Sequence, residues 1–154
     1  MDVVLYQPEI PDNTAALIRL GACLGYRLHL IEPLGFALDT KKMRRIGMDY
    51  SKQITLIRHP SWDHFRNEHP DARLILATTK AQIPHWHHRW AKNDFLIMGQ
   101  ESAGVPTDLH EQVNVQITIP MAQKVRSLNL ASAATLICGE WQRQISETNG
   151  ISLS

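Results

Sequence analysis

A chain of 154 residues is long enough for one domain with a substantial core, and its 44% hydrophobic and 20% charged content is that of a soluble globular protein. The formal net charge of +1 gives no globally basic signature, so any nucleic-acid surface must be local. Met1 to Tyr6 lacks the basic and apolar regions of a signal peptide, and no run approaches the roughly 18 apolar residues of a membrane span; a cytoplasmic protein with no membrane partner is the expectation.

Apolar runs of strand length recur at Val3 to Tyr6, Leu28 to Ile31, Ile54 to Ile57, Leu74 to Ala77, Phe95 to Met98 and Val115 to Ile119. Helical patterns lie between them, an alternation that predicts an α/β fold with a mostly parallel sheet flanked by helices. Asp12 or Asn13 is a candidate cap for a helix continuing to Leu24, with Gly25 at its stop. Asp39 or Thr40 opens a short helix through Ile46. Another starts at Pro60 and Ser61 and ends at His69 before Pro70, Pro106 suits a helix running towards Val113, and the final helix spans about Asn129 to Ser146. One domain over residues 1–148 is predicted, followed by a disordered tail over 149–154. Cys23 and Cys138 lie inside apolar helical patterns and read as two buried free thiols.

Gly99 to Gly104 has the glycine spacing of a phosphate loop without its lysine and hydroxyl, because Val105 and Pro106 follow. It reads either as a plain strand-to-helix loop or as bare backbone that lets a small ligand approach. His85, His87 and His88 invite a metal proposal, but no nearby Cys or carboxylate pair completes a tetrahedral set, and a solvated loop anchored by aromatic residues is the better reading. No metal is predicted. Lys41, Arg44 and Arg45 share one helix face, suited to phosphates or simply to water. Ile117 and Ile119 alternate as a buried strand does, Pro120 stops its ladder, and small residues after Asn129 favour a closely packed helix. Ser127 and Asn129 therefore sit where an apolar strand meets an apolar helix.

Three segments then fall into one pattern: Asn13-Thr-Ala-Ala-Leu-Ile-Arg19, Phe95-Leu-Ile-Met-Gly-Gln-Glu-Ser-Ala-Gly-Val-Pro106, and Ile119-Pro-Met121 through Arg126-Ser-Leu-Asn-Leu130. In order and separation they resemble the three motifs of the SPOUT superfamily of RNA 2'-O-ribose methyltransferases. Leu5 to Asn13, Ile31 to Phe36 and Met43 to Tyr50 are similar to the minimal TrmL or YibK type, and the likeness covers nearly the whole chain.

The resemblance implies a deep trefoil knot in the C-terminal third, S-adenosylmethionine as methyl donor with S-adenosylhomocysteine as product, and no metal. It implies tRNA as partner, with methylation of the ribose 2'-hydroxyl of the wobble nucleotide, position 34, a cytidine or modified uridine, in leucine tRNAs. It also implies a homodimer packed through the knot. By position, Ala77, Gly99, Ile119, Ser127 and Leu128 become cofactor contacts, while Asn13, Arg19, Glu101 and Asn129 become active-site groups. A guanidinium is always protonated, so Arg19 suits orientation and charge stabilisation better than base catalysis. Arg44, Arg45 and Arg126 are the candidate RNA-phosphate contacts. The chain departs from the pattern at Ala131, where serine is usual, at Gly139, where the TrmL type commonly has tyrosine, and at the variable position held by Gln100. Two other readings remain: a non-catalytic RNA-binding protein of the same fold, and a methyltransferase acting on ribosomal RNA.

Overall fold

The computed structural model of the chain describes residues 1–38, 50 and 53–148. The helix predicted from Asp39 or Thr40 to Ile46, Arg44 and Arg45 on it, and the tail over 149–154 lie outside the described residues. In chain order the elements are β1 (Asp2–Tyr6), α1 (Pro11–Leu24), β2 (Leu28–Ile31), β3 (Leu56–His59), α2 (Trp62–Glu68), β4 (Leu74–Ala77), β5 (Ile83–Pro84), β6 (Phe95–Met98), α3 (Thr107–Gln112), β7 (Val115–Thr118) and α4 (Leu130–Thr148). The strands form one seven-stranded sheet in the order β3-β2-β1-β6-β4-β7-β5, and every pairing is parallel. Because helices cover both faces, β2 and β6 are buried at every residue, which is why they read as continuous apolar runs.

Strand alternation divides the core. Val3, Leu5, Leu28, Leu30, Leu96 and Ile117 join Leu17 of α1 and Ile137 of α4 on one side of the sheet. Val4, Ile31, Leu74, Leu76 and Ile97 join Phe65 of α2 and Leu109 of α3 on the other.

The departures from the sequence reading have local causes. Helix α1 starts earlier than a cap at Asp12 or Asn13 allows: Pro11 opens it, with its fixed φ suited to the first turn, and Ile10 precedes it without a side-chain cap. Its other end matches the prediction, with Gly25 left-handed at φ 74° and its N–H on Gly21 O. The third strand is Leu56–His59 rather than Ile54 to Ile57, because Ile54 packs into the core ahead of the strand while His59 pairs with Ile31. Strand β5 carries no sequence signature because it has two residues, one of them a proline, tolerated only at this edge. Cys138 is buried, and burial pushes its thiol up to about 12. Cys23 is exposed, contrary to the reading of two buried thiols, because Gly21 carries the core-facing side of that turn.

At the start of β1, the buried Asp2 accepts two hydrogen bonds from Arg27 Nε, at 3.0 and 3.1 Å. Burial alone raises its pKa, but His29 and Arg27 outweigh that effect and hold the carboxyl well below the ordinary carboxylate range. With an unfolded value near ~3.9, this stabilisation is complete well above pH 4 and is lost as the pH falls towards the depressed folded value. Asp2→Asn is therefore expected to cost about 2 kcal/mol at neutral pH, the scale of hydrogen bonds to a charged group. The cost should shrink as urea unfolding is repeated at successively lower pH below 4; a constant difference would contradict the assignment.

Candidate active site

Parallel strands aim their carboxyl ends at one edge of the sheet, where ligands of α/β folds bind. Here Ala77 ends β4, Gly99 follows β6 and Ile119 follows β7, three neighbours in the sheet. Together with the Ser127 to Leu130 segment and the start of α1, they enclose a cleft of about 560 Å³. That volume suits a nucleoside-sized ligand. Apolar side chains stand open on its wall, with Ile10 44% and Leu128 41% exposed.

A chain of hydrogen bonds ties the walls together. Glu101 accepts from the backbone N–H of Glu9 at 2.8 Å, from that of Ile10 at 3.2 Å, and from Asn13 Nδ2 at 3.1 Å. Asn13 Oδ1 accepts from Asn129 Nδ2 at 2.8 Å, and Asn129 Oδ1 accepts from Ser132 N at 3.1 Å, capping the first turn of α4. In the reverse direction, Glu9 accepts from Ser102 N and Ser102 Oγ at 2.9 and 2.8 Å. Residues more than 80 positions apart in the chain thus hold one another, and each amide orientation is dictated by its neighbours. Both oxygens of Glu101 are occupied, so it acts as a brace for the start of α1.

The glycine loop is built for its own closure. A Cβ on Gly99 would lie 2.6 Å from the carbonyl carbon of Gly104, and Gly104 itself has φ 69°. Gln100 and Gly104 exchange backbone hydrogen bonds at 2.8 and 3.0 Å, while Gln100 Nε2 donates to Gln7 Oε1 at 3.1 Å. Gln7, at the end of the first strand's turn, holds a left-handed φ of 45° without being glycine, a strained conformation retained beside the cleft.

Eight predicted site residues meet around this cleft: Asn13, Ala77, Gly99, Glu101, Ile119, Ser127, Leu128 and Asn129. Arg19 does not join them. It projects from the exposed side of α1, its guanidinium 5.1 Å from the centre of the Tyr50 ring. Arg126 is exposed on the segment before α4 and is outside the cleft lining. The histidine run differs from a solvated loop: His85 and His88 are buried, His88 3.6 Å from Asp94, and only His87 points outward. Of the three departures, Ala131 and Gly139 are outside the lining, while Gln100 is part of it. Thr78 and Thr79, unmarked in the sequence beyond their place directly after an apolar strand, also line the cleft, as does the basic Lys80.

Residues 1–139 match the SpoU rRNA Methylase family. A tRNA (cytidine(34)-2'-O)-methyltransferase from Beijerinckia indica is 43% identical over 145 residues, covering 93% of this chain and 91% of that protein. A solved structure described as giving insights into the 2-OH methylation of C/U34 on tRNA is similar at a TM-score of 0.90 and 37% identity, covering 95% of this chain and 96% of that one. The SpoU methyltransferase AviRb from Streptomyces viridochromogenes, in complex with the cofactor AdoMet, is similar at a TM-score of 0.82 and 25% identity, covering 94% of this chain and 57% of that one. With residues 1–139 matched and a relative 43% identical over nine-tenths of both chains, the chain belongs to the SpoU rRNA Methylase family.

Proposed function

We propose that this protein is a tRNA methyltransferase that uses S-adenosylmethionine to methylate the ribose 2'-hydroxyl of nucleotide 34, a cytidine or modified uridine, in leucine tRNAs. The observation that carries the reading is the Glu101–Asn13–Asn129 chain of hydrogen bonds, which brings the three motifs to the edge of one cleft. The similarity to a tRNA (cytidine(34)-2'-O)-methyltransferase over nine-tenths of both chains supports the substrate.

The residues present fit S-adenosylmethionine. The open apolar surfaces of Ile10 and Leu128 are what an adenosine would cover, and the Gly99 to Gly104 loop closes tightly along the cleft wall. Ala77, Gly99, Ile119, Ser127 and Leu128 would hold it. When bound, it supplies a methyl group on a positively charged sulfonium. Asn13 and Asn129 hold the start of α1 against the start of α4, so the attacking hydroxyl meets a fixed wall and reacts from a near in-line position. Neither amide can take the hydroxyl proton. Arg19 orients an RNA phosphate and stabilises developing charge, and that phosphate accepts the proton.

A homodimer accounts for Arg19 standing outside its own cleft. Leu136 is 50% exposed on α4, near the open surface at Gly139, and Ala16, Arg19 and Cys23 are exposed along α1. Two copies joined through these helices put Arg19 of one beside the cleft of the other. The deep trefoil knot belongs to the same proposal, and the non-sequential order β6-β4-β7 is consistent with it. Arg126, with Arg44 and Arg45, supplies phosphate contacts. One domain over residues 1–148 working in the cytoplasm completes the reading; no helix among the described residues is long and apolar enough to cross a membrane.

The test is to incubate the protein with labelled S-adenosylmethionine and total RNA from cells lacking the activity, then to locate the product by nuclease digestion and mass spectrometry. A 2'-O-methyl group at position 34 of leucine tRNAs is expected. Methylation confined to ribosomal RNA would overturn the substrate, and no measurable cofactor binding by calorimetry would leave a non-catalytic RNA-binding protein.

A further inference from the structure

We propose that His29, His59 and His69 form a binding site for a divalent transition metal of the zinc class, on the face of the sheet covered by α2. His29 lies in β2, His59 ends β3, and His69 follows α2. His29 and His59 are completely buried, among Phe65 and Phe95. None of the three lines the cleft described above.

The first pair places two ring nitrogens where an ion could be shared. His29 Nδ1 and His59 Nε2 face one another at 2.9 Å. On the far side of each ring stands a carboxylate: Asp2 Oδ2 is 3.5 Å from His29 Nε2, and Glu68 Oε2 is 2.9 Å from His59 Nδ1. A carboxylate favours a proton on the ring nitrogen nearest to it, and a neutral imidazole carries only one. In that state the two facing nitrogens both offer lone pairs, whereas the other tautomer of one ring closes an N–H···N hydrogen bond across the 2.9 Å gap. Metal-bound histidines have this pattern, a bare nitrogen towards the ion and the other N–H towards a carboxylate. Neither carboxylate contact is aligned as a hydrogen bond, so the far nitrogens His29 Nε2 and His59 Nδ1 are left as buried polar atoms without a partner. Two nitrogens on a tetrahedral zinc stand roughly 3.3 Å apart, so the rings must turn from their head-on 2.9 Å contact to admit an ion.

His69 completes a triangle. One ligand nitrogen from each of the three rings lies within 4.8 Å of the other two. His69 and Glu68 also border a surface depression of about 510 Å³, the side from which an ion would approach the buried pair. Three imidazoles suit zinc, nickel or copper rather than magnesium or calcium. Glu68 supplies a negative charge beside His59, while the charge of Asp2 is shared with Arg27. A second group, His59, His64 and Glu68, uses the outer nitrogen side of His59 and is otherwise exposed. It lacks the facing ring nitrogens of the buried pair.

The experiment uses the full, tag-free chain, stripped of metal and titrated with zinc against a chromophoric chelator and with cobalt(II) followed by its visible spectrum. One ion per chain is expected, with the absorption of a four-coordinate site, a zinc-dependent rise in Tm, and X-ray absorption showing imidazole nitrogens around the ion. His69→Ala, at a half-buried position outside the strands, should weaken zinc binding at least tenfold, and His64→Ala should leave it unchanged. Absence of stoichiometric binding would overturn the proposal and leave a shared proton between His29 and His59. Loss of binding in His64→Ala but not in His69→Ala would overturn it in favour of the exposed group. The wild-type X-ray absorption remains decisive if a variant fails to fold, and none of these readouts depends on methyl transfer.

Discussion

Glu101→Ala is expected to abolish most methyl transfer, lowering kcat/KM by about 10²-fold or more, and to destabilise the chain by about 2 kcal/mol. Three donors lose their acceptor at once: the backbone N–H groups of Glu9 and Ile10 and the side-chain amide of Asn13. Water can reach part of this edge, which keeps the stability cost near the value for one buried unsatisfied group rather than three. The larger effect is positional. Once Asn13 is free to turn, its hydrogen bond to Asn129 no longer has a fixed direction, and the first turn of α4 loses its register against α1. Glu101→Gln distinguishes a brace from a proton acceptor. Glutamine offers one carbonyl oxygen and one amide to a site built from donors, so a brace predicts that both stability and activity fall. Loss of activity with an unchanged urea midpoint would make Glu101 a proton acceptor instead.

The alternation of apolar runs and helical patterns made the parallel α/β sheet legible, because burial on both faces removes polar residues from strands such as β2 and β6. The edges were harder to read. Leu56 is exposed although it looks like core, and the buried His59 looks like surface, so the third strand was displaced by two residues. The cleft residues were legible only through their motifs. Nothing in periodicity could say that Asn13 belongs to Glu101 and Asn129 rather than to a helix cap, because that partnership spans 88 and 116 positions. The histidine cluster was invisible for a related reason. His29, His59 and His69 have no metal-ligand spacing; the pairing of β2 with β3 and the packing of α2 bring them together, whereas the conspicuous run at 85–88 is divided between buried and exposed positions.

Arg19→Ala should reduce turnover by about 10²-fold, the order for one positioned charge-stabilising group, without weakening S-adenosylmethionine binding. Arg19 follows Asn13 by six residues, which on a helix is about 9 Å along the axis and about 240° around it. Asn13 faces the cleft and Arg19 faces solvent, so no side-chain rotation brings both to the same site within one chain. The requirement is met if a second copy supplies the arginine, and mixing two inactive variants tests this directly. Leu128→Asp places a charge on an apolar wall of the cleft, at a side chain already 41% exposed, and should remove cofactor binding while leaving Arg19 and the core intact. Arg19→Ala retains the cleft. After random subunit exchange, half of the dimers carry one chain of each kind, and each of these has one complete site, so activity should recover to about one quarter of wild type. Mixtures no more active than the sum of their parts would mean that Arg19 serves its own chain, and would remove both the shared site and the reason for the dimer.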